Sequence, residues 1–469
     1  MAMQRGRKVT LTTIDRRTML GAAALWPVAT AAAPASPWQA ARRIADTIPA
    51  PAIPRRDVPI TRHGAVAGGP PATAAIAAAI AACAAAGGGR VVVPPGRFHT
   101  GAIRLGSNMA LHLSAGATLV FSTDPADYPM VATRWEGVEC VNYAPLVFAD
   151  GETDVAITGT GTLDGQGAAW WPWSSGPQFG WKPGMPDQRA ARTRLFAMAE
   201  AGVPVAERRF GAGGYLRPPL VQFQNCARVL VEGVTLRDSP LWNCHAVLCR
   251  DVVMRGVAVR GHGPNNDGCN PESVDRMLIE RCTFDTGDDC IAIKSGRNAN
   301  GRRVARPAQD IVIRDCRMRA GHGGLVIGSE ISGDVRRVFM ERCTMDSPDL
   351  WYAVRIKNNA MRGGAVDQVH CRDIRVGQVA RAAITCDFNY EEGANGGFRP
   401  SLSNLLIERM DVARAPQVAD IQGLPGAPVS DITLRDCRFA GVTRPSVVAH
   451  IDRLGLNNVR VNGRPVSRI

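Results

Sequence analysis

Lysine is scarce in this chain. Lys8, Lys182, Lys294 and Lys357 are the only four among 469 residues, although Lys and Arg together number 55. The positive charge is carried by scattered arginines with no run of five or more basic residues, which argues against a nucleic-acid patch. No stretch of about 18 apolar residues occurs, so there is no helical membrane span and no stable membrane association is expected. No Cys-x-x-Cys pair occurs either; a structural zinc site has no support, and neither a metal nor another cofactor is expected. Cysteine itself is plentiful but odd in number, at 13, which rules out complete pairing within one chain. It recurs in repeated phrases at Cys282, Cys316, Cys343 and Cys437, and so reads as small buried filler rather than a disulfide framework.

What is abundant is turn-former and β-branched residue. There are 49 Gly and 32 Pro, with Val and Ile in many short runs, a composition of short strands joined by turns. The formal net charge is +13, of which +4 falls in residues 1–35, leaving about +9 for the remainder. A basic surface without nucleic-acid runs suits another polyanion, such as an acidic polysaccharide.

The first 35 residues read as an address. Asp15-Arg16-Arg17-Thr18-Met19-Leu20 precedes an alanine-rich apolar run from Gly21 to about Ala33, and resembles a twin-arginine export signal. Asp15 and Met19 depart from the usual Ser/Thr and Phe of such signals. The mature protein is therefore expected in the periplasm or outside the cell. Residues 36–59 read as a Pro-rich connector and 60–469 as one domain, interrupted by an insertion at 165–219.

Thr73 is placed to cap a helix from Ala74 to about Ala86, stopped by Gly87-Gly88-Gly89. Alanine on every side of that helix suggests packing all round, as in a cap over the end of a larger assembly. Strands follow at Arg90–Val93, Ala110–Leu113 and Ala117–Phe121. From there a phrase of the form apolar–polar–polar–small–polar–apolar recurs. Its fourth positions are Val234, Val257, Cys282, Cys316, Cys343, Ile374, Met410, Cys437 and Val459, at spacings of 23, 25, 34, 27, 31, 36, 27 and 22. A drifting period of this length with no helix inside the unit excludes a βαβ array and predicts stacked coils with loops of varying length. The fold class that fits is all-β: a single-stranded, right-handed parallel β-helix whose coils rise by ~4.8 Å. The insertion holds Trp170-Trp171-Pro172-Trp173, Phe179, Trp181 and a helical stretch near Ala190–Ala201. It reads either as an aromatic wall for a binding groove or as a cover for an apolar face.

Chemistry-bearing residues gather between His262 and Gly296. Asp267, Asp288 and Asp289 each sit beside glycine or a turn, where an aspartate can cap backbone, bind a metal or do acid/base work. Asp288 lies six residues after Cys282 and His322 six after Cys316, so equal phase should stack the two side chains on adjacent coils. Arg355 and Lys357 flank Ile356 and share a face by alternation. Two of the three lysines outside the leader, Lys294 and Lys357, fall beside these motifs.

Four ordered pieces carry a family resemblance: Asn265-Asn266-Asp267-Gly268, Gly287-Asp288-Asp289, Gly321-His322-Gly323 and Arg355-Ile356-Lys357. They resemble the polygalacturonases, glycoside hydrolase family 28, and among them the bacterial exo-type pectin-degrading members. Asn266 stands where fungal members often have Thr, outside the catalytic carboxylate. The resemblance implies a pectin-lyase-like β-helix that hydrolyses α-1,4-galacturonosidic bonds with inversion, acting as a monomer on an acidic polysaccharide or oligogalacturonide. It assigns Asp288 as general acid, with Asp267 and Asp289 activating water on the opposite face. His322 would keep Asp288 correctly protonated and oriented, and Arg355 and Lys357 would hold the substrate carboxylate. Crowding of three carboxylates should leave one protonated near neutral pH, as an acid catalyst requires. An inverting pair should stand roughly 6.5–9.5 Å apart. Asn265, His245, Tyr390 and Tyr143 are further substrate-binding candidates. The alternatives are a calcium-dependent pectate lyase on the same fold, a rhamnogalacturonan hydrolase, and a non-enzymatic β-helix module.

Overall fold

Short runs of β-branched and aliphatic residues at a repeat of 22 to 36 have one economical arrangement, in which each run pairs with its counterpart one period later. The structure, a computed structural model, describes residues 36–469, so the expected export signal at 1–35 lies outside the described residues. Parallel pairs join successive coils from Asp57–Pro59 to Arg460–Val461 in one sheet of 24 strands and another of 11. The chain is a right-handed parallel β-helix, as the repeat predicts.

Register is kept by inward-facing side chains. Val229, Val252, Met277, Ile311, Val338, Val369, Leu405 and Ile432 occupy one column of in-register partners, all buried. The fourth positions of the repeated phrase, Val234 through Val459, form a second buried column. Each is preceded by a residue in the left-handed region, from Gly233 at φ 78° and Arg281 at 54° to Asn458 at 53°. That residue bends the coil from one short strand into the next, and Gly, Asp and Asn tolerate it better than arginine does. All thirteen cysteines are unpaired and buried, and Cys282, Cys316, Cys343 and Cys437 stand in the second column.

The two polar positions of the phrase carry a charge alternation. Glu232, Arg255, Glu280, Arg314, Glu341, Arg372, Glu408 and Arg435 are successive in-register partners, acid facing base on neighbouring coils. Arg255 and Arg314 both reach Glu280, at 2.5 and 2.8 Å. Burial pushes Glu280 up, but hydrogen bonds from Arg314 and Arg255 outweigh it and hold the carboxyl below its ordinary range. A second alternation at the bend pairs Arg342 with Asp315 at 2.8 Å and Arg409 with Asp373 at 2.7 Å. Much of the arginine therefore neutralises the protein's own acids instead of facing a polyanion.

Among the described residues three helices of eleven or more residues accompany the coils, besides a short one at Asn298–Val304. The first, α1 (Pro37–Thr47), lies in the stretch expected to be connector. Its Trp38 and Ala41 bury against the outward-facing Val253, Leu278, Val312 and Phe339, and Trp38 Nε1 donates to Glu408 at 2.9 Å. The apolar outer face of those coils is what orders it. The second, α2 (Thr73–Ala85), covers the first coil, but Thr73 is not its cap: its hydroxyl accepts from the Gly101 amide at 2.8 Å. Only Ala75, Ile76, Ala79 and Cys83 of α2 are buried, so it packs on one face and not all round. The third, α3 (Arg189–Glu200), belongs to the 165–219 insertion. The insertion's tryptophans anchor it inward: Trp170 packs edge-on to Tyr128 and Trp173, and Trp171 Nε1 donates to the Ser239 carbonyl at 2.9 Å. An antiparallel hairpin, Met130–Trp135 with Val138–Tyr143, reaches across the coils, and its tip carbonyl at Gly137 accepts from the Arg297 amide at 3.0 Å.

Candidate active site

The 11-stranded sheet carries the predicted residues. Asp267 precedes its strand Cys269–Glu272, Asp288 and Asp289 precede Ile291–Ile293, and His322 precedes Leu325–Ile327. Arg355 and Lys357 project from Tyr352–Lys357. Equal phase does stack Asp288 and His322, with Nδ1 of the imidazole 2.9 Å from the carboxylate. The His322 amide also donates to the Asp288 carbonyl at 3.0 Å, so backbone and side chain are joined at the same step.

Together these residues line a cavity of about 370 Å³ with Asn265, Lys294 and Tyr390. A larger cleft of about 740 Å³ lies where residues 51–57 cross the outer face of the first coils, and it holds none of them. Lys357 Nζ binds Asp289 at 2.7 Å and Arg355 stands 3.5 Å from the same carboxylate. Lys357 thus organises Asp289 in the resting site, and Arg355, with the more exposed side chain, is the freer of the two cations. Asp267 accepts from Asn270 Nδ2 at 2.6 Å and lies 3.5 Å from Lys294, whose ammonium also binds Glu330 at 2.9 Å and faces Trp242. His322 stacks on Trp351 at 3.8 Å, and Arg381 covers that indole 3.7 Å from its centre.

The carboxylates do not behave alike. Burial pushes Asp267 well above the usual range, more than Lys294 can offset, with Asp288 and Asp289 pushing the same way. Burial raises Asp288 as well, but the hydrogen bond and charge of His322, aided by Lys357 and Lys294, outweigh it and hold Asp288 low. The carboxyl driven upward is thus Asp267, chiefly by burial, and not the expected general acid Asp288, which His322 holds low.

Asn265 and Tyr390 lie at the cavity. Arg217 donates to Asn265 Oδ1 at 2.7 Å, and the Tyr390 ring stands 5.3 Å from Lys357 Nζ. His245 and Tyr143 do not line it. His245 is fully buried behind Trp242, bonded through Nε2 to Glu272 at 2.8 Å and through Nδ1 to Gln222 at 3.0 Å. Tyr143 packs against Trp173 in the core. The insertion's tryptophans are absent from the lining too; the cavity's aromatics are Trp242, Trp351 and Tyr390. Residues that sequence reasoning missed are Glu136, Arg192, Trp242, Ser329, Glu330, Trp351 and Glu391. Most of them sit in loops outside the repeated phrase, where phase says nothing.

Ligand-type atoms of Asp288, Asp289 and His322 all lie within 4.8 Å of one another. They fit a cation poorly, because Asp288 and His322 already hold each other and Asp289 already holds Lys357.

The strand order and stacked coils define a pectin-lyase-like β-helix protein with an acidic, cation-walled pocket. Within that class the chain belongs to the glycosyl hydrolases family 28, whose model matches residues 210–449. A solved exopolygalacturonase from Thermotoga maritima is 39% identical, with a TM-score of 0.89 over 92% of this chain and 97% of that one. A probable polygalacturonase of Vitis vinifera is 28% identical, the match covering 73% of this chain and 65% of the relative. An exo-poly-alpha-D-galacturonosidase of Dickeya chrysanthemi is 27% identical over 64% of this chain and 52% of the relative. The chain thus spans between half and two-thirds of the lengths of these two curated relatives.

Proposed function

We propose that the protein hydrolyses α-1,4-galacturonosidic bonds of polygalacturonate with inversion, acting from the chain end. The observation that carries this reading is the convergence of Asp267, Asp288, Asp289 and His322 with Arg355 and Lys357 in one pocket that the 130–143 hairpin tip and α3 wall off. A long groove open at both ends would suit internal attack; a walled pocket suits a terminal sugar.

In the resting site Asp288 is an acceptor beside an imidazole, not yet an acid. Arrival of a uronate carboxylate at Arg355 and Lys357 would offset positive charge that holds Asp288 low. That raises its proton affinity, so a proton moves across the 2.9 Å contact from His322 and onward to the leaving oxygen. Asp289, paired with Lys357, takes the proton of the attacking water on the opposite side of the bond, and Asp267 beside it orients that water. Trp351, stacked on His322, keeps the imidazole in plane with its partner. Preorganised charge of this kind supplies most of the rate in such a site.

Residues 1–35 are proposed as a twin-arginine export signal and the enzyme as periplasmic or secreted; among the described residues no helix is long and apolar enough to cross a membrane. Two measurements test the catalytic reading. Asp288→Asn should lose about 10³-fold or more in kcat while melting within a few degrees of wild type. Proton NMR of early product should show the β-anomer first. Near-normal turnover in Asp288→Asn, or retained α-configuration, overturns it.

A further inference from the structure

One wall of the pocket presents carboxylates to a substrate that is itself a polyanion. Glu136 comes from the hairpin tip, Glu330 from the loop after Leu325–Ile327, and Glu391 from the loop after Ala382–Asp387. Their countercharges lie behind or beside them. Arg297, 4% exposed, stands 3.5 Å from Glu330 and 3.1 Å from Glu391, and Lys294 stands 2.9 Å from Glu330. Burial pushes Glu330 up, but Lys294 and Arg297 outweigh it, so it faces the cavity as an ionised, acceptor-only group. Glu136 is paired with Arg192 Nε at 2.8 Å.

Such a wall repels a uronate carboxylate and accepts hydrogen from hydroxyls. Along a 1,4-linked polyuronate, each internal 4-oxygen is tied up in a glycosidic bond; only the non-reducing terminal sugar has a free 4-hydroxyl to donate. We propose that Glu136, Glu330 and Glu391 form a hydroxyl-reading wall that selects the non-reducing terminal galacturonate. Sugars lacking the free 4-hydroxyl are then poor substrates. The inference rests on the chain-end reading above and adds the chemistry by which the end is recognised.

The test compares saturated trigalacturonate with the trimer that carries a 4,5-unsaturated, hydroxyl-free non-reducing end, in wild type, Glu391→Gln and Glu136→Gln. A hydrogen bond to a charged acceptor predicts that wild-type kcat/KM favours the saturated trimer by about ten- to a hundredfold. The variant that removes the acceptor of that one hydroxyl should bring the ratio to within about threefold of unity, and the other should leave it closer to wild type. Because the readout is a ratio on one enzyme preparation, partial unfolding of a variant cancels. A wild-type ratio near unity, or a ratio unmoved in both variants, overturns the wall. So does a preference that instead follows borohydride reduction of the reducing end. Early oligomers from polygalacturonate would sink the chain-end reading independently of the trimer result.

Discussion

Asp267 and Asp288 are neighbouring carboxylates in one pocket that burial and partners drive in opposite directions. For Asp267 the folded pKa is raised, so its contribution to stability is full below the ordinary carboxylate value of ~3.9 and is lost as pH rises through the raised value. Near neutral pH it is therefore a cost to the fold. Asp267→Asn should melt roughly 2–4 °C higher than wild type at pH 7, with the gap closing toward pH 4, while activity is lost. Scanning calorimetry across that range checks it; a variant that melts lower at pH 7 would mean Lys294 keeps Asp267 ionised. Asp288 carries the opposite sign: its folded pKa is depressed, so its stabilisation is present above ~3.9 and disappears only in stronger acid. At this scale the sequence was readable where phase ruled, as for Asp288 over His322. It was misleading for His245, whose in-register neighbours Gln222 and Asn270 share its outward face, because the hairpin and Trp242 cover that face. Nothing in a single coil announces a cover supplied from another part of the chain.

At the scale of elements, the repeated phrase did two jobs and only one was legible. Its apolar positions predicted the stack, since every coil must bury the same column. Its polar positions also alternate Glu with Arg and Arg with Asp from coil to coil, a pattern present in the sequence but visible only once counterparts are aligned. Glu280, with a 2% exposed side chain between Arg255 and Arg314, is the test position. Glu280→Ala leaves three guanidiniums, those of Arg255, Arg314 and Arg281, without their shared partner and should cost about 3 kcal/mol in urea unfolding. Glu280→Gln should cost less, and a loss below about 0.5 kcal/mol for the alanine variant would reduce the ladder to surface decoration. Catalysis should be unaffected, because these residues face away from the pocket. The helix α1 was missed for a related reason: its partner is the outward apolar face of Val253 to Phe339, and an outward face of a coil is ordinarily read as solvent.

For the whole molecule, the net positive charge first suggested a basic surface awaiting a polyanion, yet much of the arginine is committed to ladders and the pocket itself mixes cations with acids. On the proposed reading, recognition of an acidic polymer would depend on where Arg355, Lys357 and the three glutamates stand relative to one sugar, and not on bulk charge. The measurement that tests this most directly is a time course of polygalacturonate digestion, with products sized by anion-exchange chromatography and absorbance followed near ~235 nm, with and without chelator. Hydrolysis from the chain end predicts monogalacturonate alone from the first time point, slow loss of viscosity, no absorbing product and no effect of chelator. Mixed oligomers at early times, or absorbing products that chelator abolishes, would contradict it.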